Sequence, residues 1–253
     1  MTRFTAPWLD APSRLSRRLA ARRGQRQLVQ AIGRVVAART AGAADGPRLG
    51  FATFGSGCWH LGLEVLLAHA LALRGARPEL LICDLPDLPI CDERTVDSRD
   101  LERCAGCLND KRALLEVGGI PWRGTSAFVA PDALRRARQA VAVLDGSAIE
   151  AATAGGWPVG QWLHVSACHY LRCDARGSSA EKEDARRRLL VSAMVTVQAV
   201  ERWLDDWRPE IVIAESGAHL MWRIAFELAR ARGIPVVCRE MGKGGWDRHI
   251  YAL

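Results

Sequence analysis

The sequence predicts an open, mostly parallel α/β sheet, Rossmann-like, with helices on both faces. Three observations predict it. Short apolar runs alternate with stretches of helical spacing from Leu49 onward. The connections between the first runs are long enough for crossover helices, which makes those strands parallel and the crossovers right-handed. Glycines stand where the helices should stop, at Gly75 and Gly118.

The elements follow in order. Residues 1–48 form a basic arm, with Leu15, Leu19, Leu28, Ile32, Val35 and Val36 at helical spacing, weakened by Gly24 and Gly33. The α/β domain spans residues 49–253. "RLGFATFGSG" is a buried strand, roughly Leu49–Phe54, and "CWHLGLEVLLAHALALRG" is the helix after it. "ELLIC", residues 79–83, is the second strand and completes a β-α-β unit. A cysteine-rich insert, 83–107, then interrupts the alternation. "NDKRALLEVGGI" restarts a helix, with Asn109 as its N-cap. "PDALRRARQAVAVL" carries Pro131 in its first turn. A long helix opens on a capping box, Ser178 to Glu181, and ends at Arg208-Pro209. Its apolar stripe includes Leu189, Leu190, Val197, Val200 and Leu204. "EIVIAESG", "AHLMWRIAFELARARG" and "IPVVCRE" close the chain as strand, helix and strand.

Composition bounds the function. The 253 residues are 49% hydrophobic and 25% charged, ordinary for a globular protein that buries its own core. The start lacks the apolar segment of a secretory signal, and no run approaches the ~20 apolar residues of a spanning helix. The reading is cytoplasmic, with a peripheral place on the inner membrane face open to the arm. The net charge of +7 is concentrated in the arm. Residues 1–49 hold ten arginines against Asp10 and Asp45, so the rest of the chain is at −1. A basic amphipathic helix can meet an anionic membrane or a partner; a surface helix of an Arg-rich, Ala-rich chain is the plainer, preferred reading. The body shows no basic face of the kind nucleic acid requires.

Ligands of such sheets bind outside the carboxyl ends of the strands. The first loop there is "FGSGCWHLGLE". Gly55, Ser56 and Gly57 allow a tight turn and close backbone approach, and the following helix N-terminus offers amides. His60 at its mouth is a candidate general base. A glycine turn with a histidine at the helix start is the plainer alternative. Glu215, in "ESGAH", follows a late strand and is placed to meet the same ligand, or to offset the helix dipole. Lys243, among glycines in "REMGKGGW", suits a phosphate contact or simply a linker.

Cys83, Cys91, Cys104 and Cys107 have the spacing C-x7-C-x12-C-x2-C. Four reduced thiols this close suggest one metal site, holding zinc or a four-iron four-sulfur cluster, with zinc preferred. Cys168 and Cys173 lie in "HVSACHYLRC" beside His164 and His169; they are read as able to complete a site or as packed side chains.

The order "GFATFGSGCWHLGLEVLLAHALALRGARPELLICD", cysteine insert, "RPEIVIAESGAHLMWRIAFELARARGIPVV" resembles the N-terminal half of two-domain GT-B glycosyltransferases. It is most similar to those of bacterial capsular or surface polysaccharide synthesis whose insert is of the "CDLPDLPIC" type. The resemblance implies an acceptor-binding domain for a sugar or lipid-linked acceptor, with His60 as base and Glu215 orienting it. It also implies a nucleotide-sugar donor held by a second Rossmann domain, in a continuation of the chain or in another one. The alternatives are a non-catalytic metal-bearing partner subunit and, more weakly, an iron–sulfur redox protein.

Overall fold

The computed structural model describes residues 45–54, 57–92, 101–241 and 249–252, together with the helical residues 27, 30, 31, 33 and 34. Its elements are β1 (Arg48–Thr53), α1 (Gly57–Ala72), β2 (Arg77–Ile82), α2 (Leu101–Gly118), β3 (Trp122–Gly124), α3 (Ala133–Ala142) and α4 (Gly146–Ala151). There follow α5 (Leu163–Leu171), α6 (Ala180–Trp207), β4 (Ile211–Ala214), α7 (Leu220–Ala231), β5 (Val236–Met241) and β6 (His249–Ala252). The strands form one sheet in the order β3-β2-β1-β4-β5-β6. The first five are parallel, and β6 returns antiparallel along the β5 edge.

Alternation along the strands divides the core in two. Leu49, Phe51, Leu80, Ile82 and Ile213 pack with Leu61, Val65, Leu114 and Leu115 of α1 and α2. Ala52, Leu81, Val212, Ala214 and Val236 pack on the opposite face with residues of α3 and α5–α7. Helices therefore cover both faces, as the sequence predicts. The long α6 supplies Leu189, Leu190, Val197, Val200, Trp203 and Leu204, all buried. Each large apolar side chain so buried contributes about 1.5–3 kcal/mol. Gly50 lets Trp203 lie flat against β1: an added Cβ would stand 2.5 Å from Trp203 Cη2. The indole Nε1 donates to Glu79 Oε1 at 2.9 Å, so a buried carboxylate and a buried donor satisfy each other.

Several boundaries differ from expectation. The second helix begins at Leu101, eight residues before Asn109, which lies inside it. The cysteine segment therefore ends as helix, and Cys104 and Cys107, three apart, share one face of α2. The α6 cap is Ser179, whose hydroxyl accepts from Lys182 N at 3.4 Å, and not Ser178. With lysine at the third position no reciprocal box forms; Glu181 and Glu183 instead favour the dipole from the first turn. The helix α7 begins after His219 and not at Ala218. Two strands escaped the pattern, β3 because three residues are too few to show a period, β6 because it follows the glycines of "GKGG".

Candidate functional site at the carboxyl edge

Strand order reverses between β1 and β4, which pair in parallel with Ala52 opposite Ala214. The crevice outside their carboxyl ends is where a sheet of this order takes its ligands. β1 runs out to this edge at Phe54, and the loop Glu215–His219 leaves β4 beside it.

A buried carboxylate organises this edge. Asp92, 8% exposed, follows the turn beyond β2 and reaches the start of α7. Its Oδ2 accepts from Met221 N at 2.9 Å, and its Oδ1 accepts from Ser166 Oγ of α5. Ser166 Oγ in turn accepts from Leu220 N at 2.7 Å. Two amides that the helix leaves without intrahelical partners are thus capped from other parts of the chain, and the negative charge sits where the α7 dipole favours it. Ser166 is 2% exposed and holds both bonds, so it caps the start of α7.

His219 completes the group. Its Nδ1 lies 3.8 Å from Asp92 Oδ1, an ion-pair distance longer than a hydrogen bond. The side chain is one-third exposed, while that of Asp92 is 2% exposed. Contact with Asp92 pushes the imidazole pKa up; burial opposes this, and Glu240 and Glu215 add to the rise. The ring stands edge-on to His169 at 5.2 Å and to Trp222 at 6.3 Å, and Trp222 packs edge-on against Phe54 at the end of β1. Asp92 thus faces Nδ1 across an ion-pair distance without a hydrogen bond, and the imidazole remains partly exposed.

Two buried cations brace the same edge. Lys111 of α2, 1% exposed, donates to Phe54 O at 3.3 Å and Cys83 O at 3.4 Å, spanning the ends of β1 and β2. Arg239 of β5 lies 3.6 Å from Glu215 and 4.0 Å from Glu64 of α1. Glu215, directly after β4, is thus in an ion pair with Arg239.

The other expected residues fall unevenly. Gly55, Ser56 and Lys243 lie outside the described residues. Gly57 opens α1, and His60 lies in its first turns, with its side chain outside the described set. Cys83, Cys91, Cys104 and Cys107 are all half-buried, and no disulfide occurs among the described cysteines. Burial raises the pKa of the Cys83 thiol, and charge on nearby Cys104 adds a smaller rise. Among the described residues, the three ligating side chains whose donor atoms come within 4.8 Å of one another are His164, Cys168 and Asp174. Asp92, Ser166, Lys111 and Arg239 were not singled out by sequence reasoning. For Asp92 the only signal is its place beside Cys91; the others look like ordinary helix and strand residues.

The strand order and switch point define the class: an open α/β fold of Rossmann order. No family model matches the chain, and no curated protein does. Among solved structures it is similar to a cyclodipeptide synthase from Fluoribacter dumoffii, with a TM-score of 0.45 and 10% identity over 83% of this chain and 93% of that one. At that score the similarity assigns no activity here. It does correct one expectation: the comparison brings up a cyclodipeptide synthase where a GT-B glycosyltransferase was expected, and the polysaccharide-synthesis reading is withdrawn. The partner-subunit and iron–sulfur alternatives are not supported better. No helix among the described residues is long and apolar enough to cross a membrane.

Proposed function

We propose that this chain binds a small polar ligand in the crevice between the carboxyl ends of β1 and β4, and that His219 exchanges a proton with it. The observation that carries this reading is the His219–Asp92 pair: a buried, doubly bonded carboxylate beside Nδ1 of a partly exposed imidazole. Asp92 would fix the ring and favour its charged form, which suits a proton donor near neutral pH. The α7 amides are already capped by Asp92 and Ser166, so the ligand would meet the imidazole and not the helix end. Gly55, Ser56 and Gly57 would form the floor from the neighbouring strand, with His60 as a second candidate proton carrier. Lys243 would be a candidate contact for an anionic group on the ligand.

The test is protein-observed NMR with a library of polar fragments, comparing wild type with His219→Gln. Binding that shifts His219, Trp222 and Phe54 together, and that weakens in the variant, supports the reading. Fragments that bind only elsewhere, or bind the variant equally well, remove it.

A further inference from the structure

His164 and Cys168 stand four apart on α5, so their side chains share one face; His164 is exposed, while Cys168 is half-buried against the edge of the core. Their donor atoms are close: Cys168 Sγ is 3.6 Å from His164 Nε2 and 4.0 Å from Nδ1. The chain then turns back. Arg172 closes the helix in the left-handed region at φ 59° and ψ 26°, unusual for a residue with a side chain. Ala175 is buried at 1%, which anchors the returning loop to the core. Its amide donates to Cys168 Sγ at 3.3 Å. Between these two fixed points Asp174 brings a carboxylate oxygen within 4.8 Å of both the imidazole and the thiol.

We propose that His164, Cys168 and Asp174 form a binding site for a divalent transition metal of the zinc class. The donor set is one imidazole nitrogen, one sulfur and one carboxylate oxygen. That mixture favours zinc over magnesium or calcium, which take oxygen ligands. Geometry agrees: metal–sulfur and metal–nitrogen bonds of about 2.3 and 2.0 Å at a tetrahedral angle put sulfur and nitrogen about 3.5 Å apart. The amide of Ala175 supplies the outer hydrogen bond that orients a ligating thiolate. Asp174 currently holds Arg176, through Nε at 3.1 Å and N at 2.9 Å. That pair is exposed and worth little, so it does not compete strongly for the carboxylate. Three protein ligands leave one position for solvent; the exposed Cys173 directly precedes Asp174 in the chain. The same helix carries Ser166 and His169 to the crevice, so a metal here would pin the C-terminal end of a helix that helps build it.

The experiment uses the full chain, stripped by chelator and titrated with Co2+ alone. To exclude the other cysteine cluster, it is repeated in a Cys104→Ser background. The expected result is a sulfur-to-cobalt charge-transfer band with the visible bands of a tetrahedral ion, displaced by Zn2+. In the Cys104→Ser background these bands persist, and they vanish when Cys168→Ser is added to it. His164→Ala and Asp174→Asn should weaken binding by more than about 100-fold, beyond the loss expected for an outer-shell residue. His164 and Asp174 are exposed and Cys168 is half-buried, and circular dichroism checks that each substitution leaves the fold intact. Arg176→Ala keeps every ligand and frees Asp174, so it should bind equally or more tightly. Bands that survive in the Cys104→Ser/Cys168→Ser double variant, bands absent from Cys104→Ser, or loss of binding in Arg176→Ala would each overturn the proposal.

Discussion

His219 Nδ1 stands 3.8 Å from the carboxylate of Asp92, which at the same time caps the helix that His219 begins. The pair is therefore both a titrating unit and a structural joint. The imidazole pKa is raised in the folded protein, above the ordinary value of about 6.5. A raised basic group contributes stability that is fully present below its unfolded pKa and is lost as pH rises through the folded one. Thermal melts of wild type and His219→Gln should differ most at the acid end of the range and converge with rising pH. A difference that does not vary with pH would show that the two groups are not coupled. Asp92→Asn should lower the His219 pKa, read directly from its ring protons by NMR.

Asp92→Ala tests the joint. It leaves the Ser166 hydroxyl hydrogen and Met221 N, both buried, without their acceptor, at about 1–3 kcal/mol for each donor left unpaired. Chemical denaturation gives the loss. A change within about 0.5 kcal/mol, typical of a surface substitution, would mean that the cap is not needed.

Gly50 and Trp203 test the core. An alanine methyl at Gly50 would overlap the indole, and overpacking of this kind costs about 1–3 kcal/mol or more. Trp203→Phe opens room for it, so the double variant should be more stable than the sum of the singles predicts, by more than about 0.5 kcal/mol. Additive energies would disprove the contact.

Burial raises the pKa of the Cys83 thiol, with Lys111 acting in the opposite direction. Cys173 is exposed. Alkylation followed by mass spectrometry should therefore label Cys173 well before Cys83 in the folded chain. Lys111→Met leaves the carbonyls of Phe54 and Cys83 without this donor and should destabilise the edge by about 1–3 kcal/mol. Zinc at Cys83, Cys91, Cys104 and Cys107 stays a proposal, tested by elemental analysis of wild type against Cys107→Ser.

The arm is expected to be separable. Deleting residues 1–40 should leave a cooperative thermal transition, because the sheet begins at Arg48. The arm does touch the body: a Cβ on Gly33 would come 3.3 Å from Val117 Cγ1 of α2. The deletion should therefore lower the melting temperature modestly. Loss of the cooperative transition would make the arm part of the domain. Contact of the arm with anionic membranes is likewise a proposal, and salt-sensitive binding of the full chain to anionic vesicles tests it.

The sequence by itself determined the alternation, the core faces and the parallel β-α-β start. Period and chain length are local properties, and they survive whatever the tertiary structure does. Gly75, at φ 90°, ends α1 as its position in the sequence implies. Even local signals failed where two readings competed, as at Asn109, which lies inside a helix, and at Ser178, whose neighbour took the cap. Glu215 was legible because it directly follows an obvious strand. Asp92 was not. Its partner Met221 is 129 residues away, and the two meet only because β2 and β4 flank β1 and send their loops to one edge. The group at Asp92, Ser166 and His219 joins two loops and a helix. The tertiary structure alone decided it, because the charge of Asp92 gains its partners only where strand order brings separate loops to the same end of the sheet.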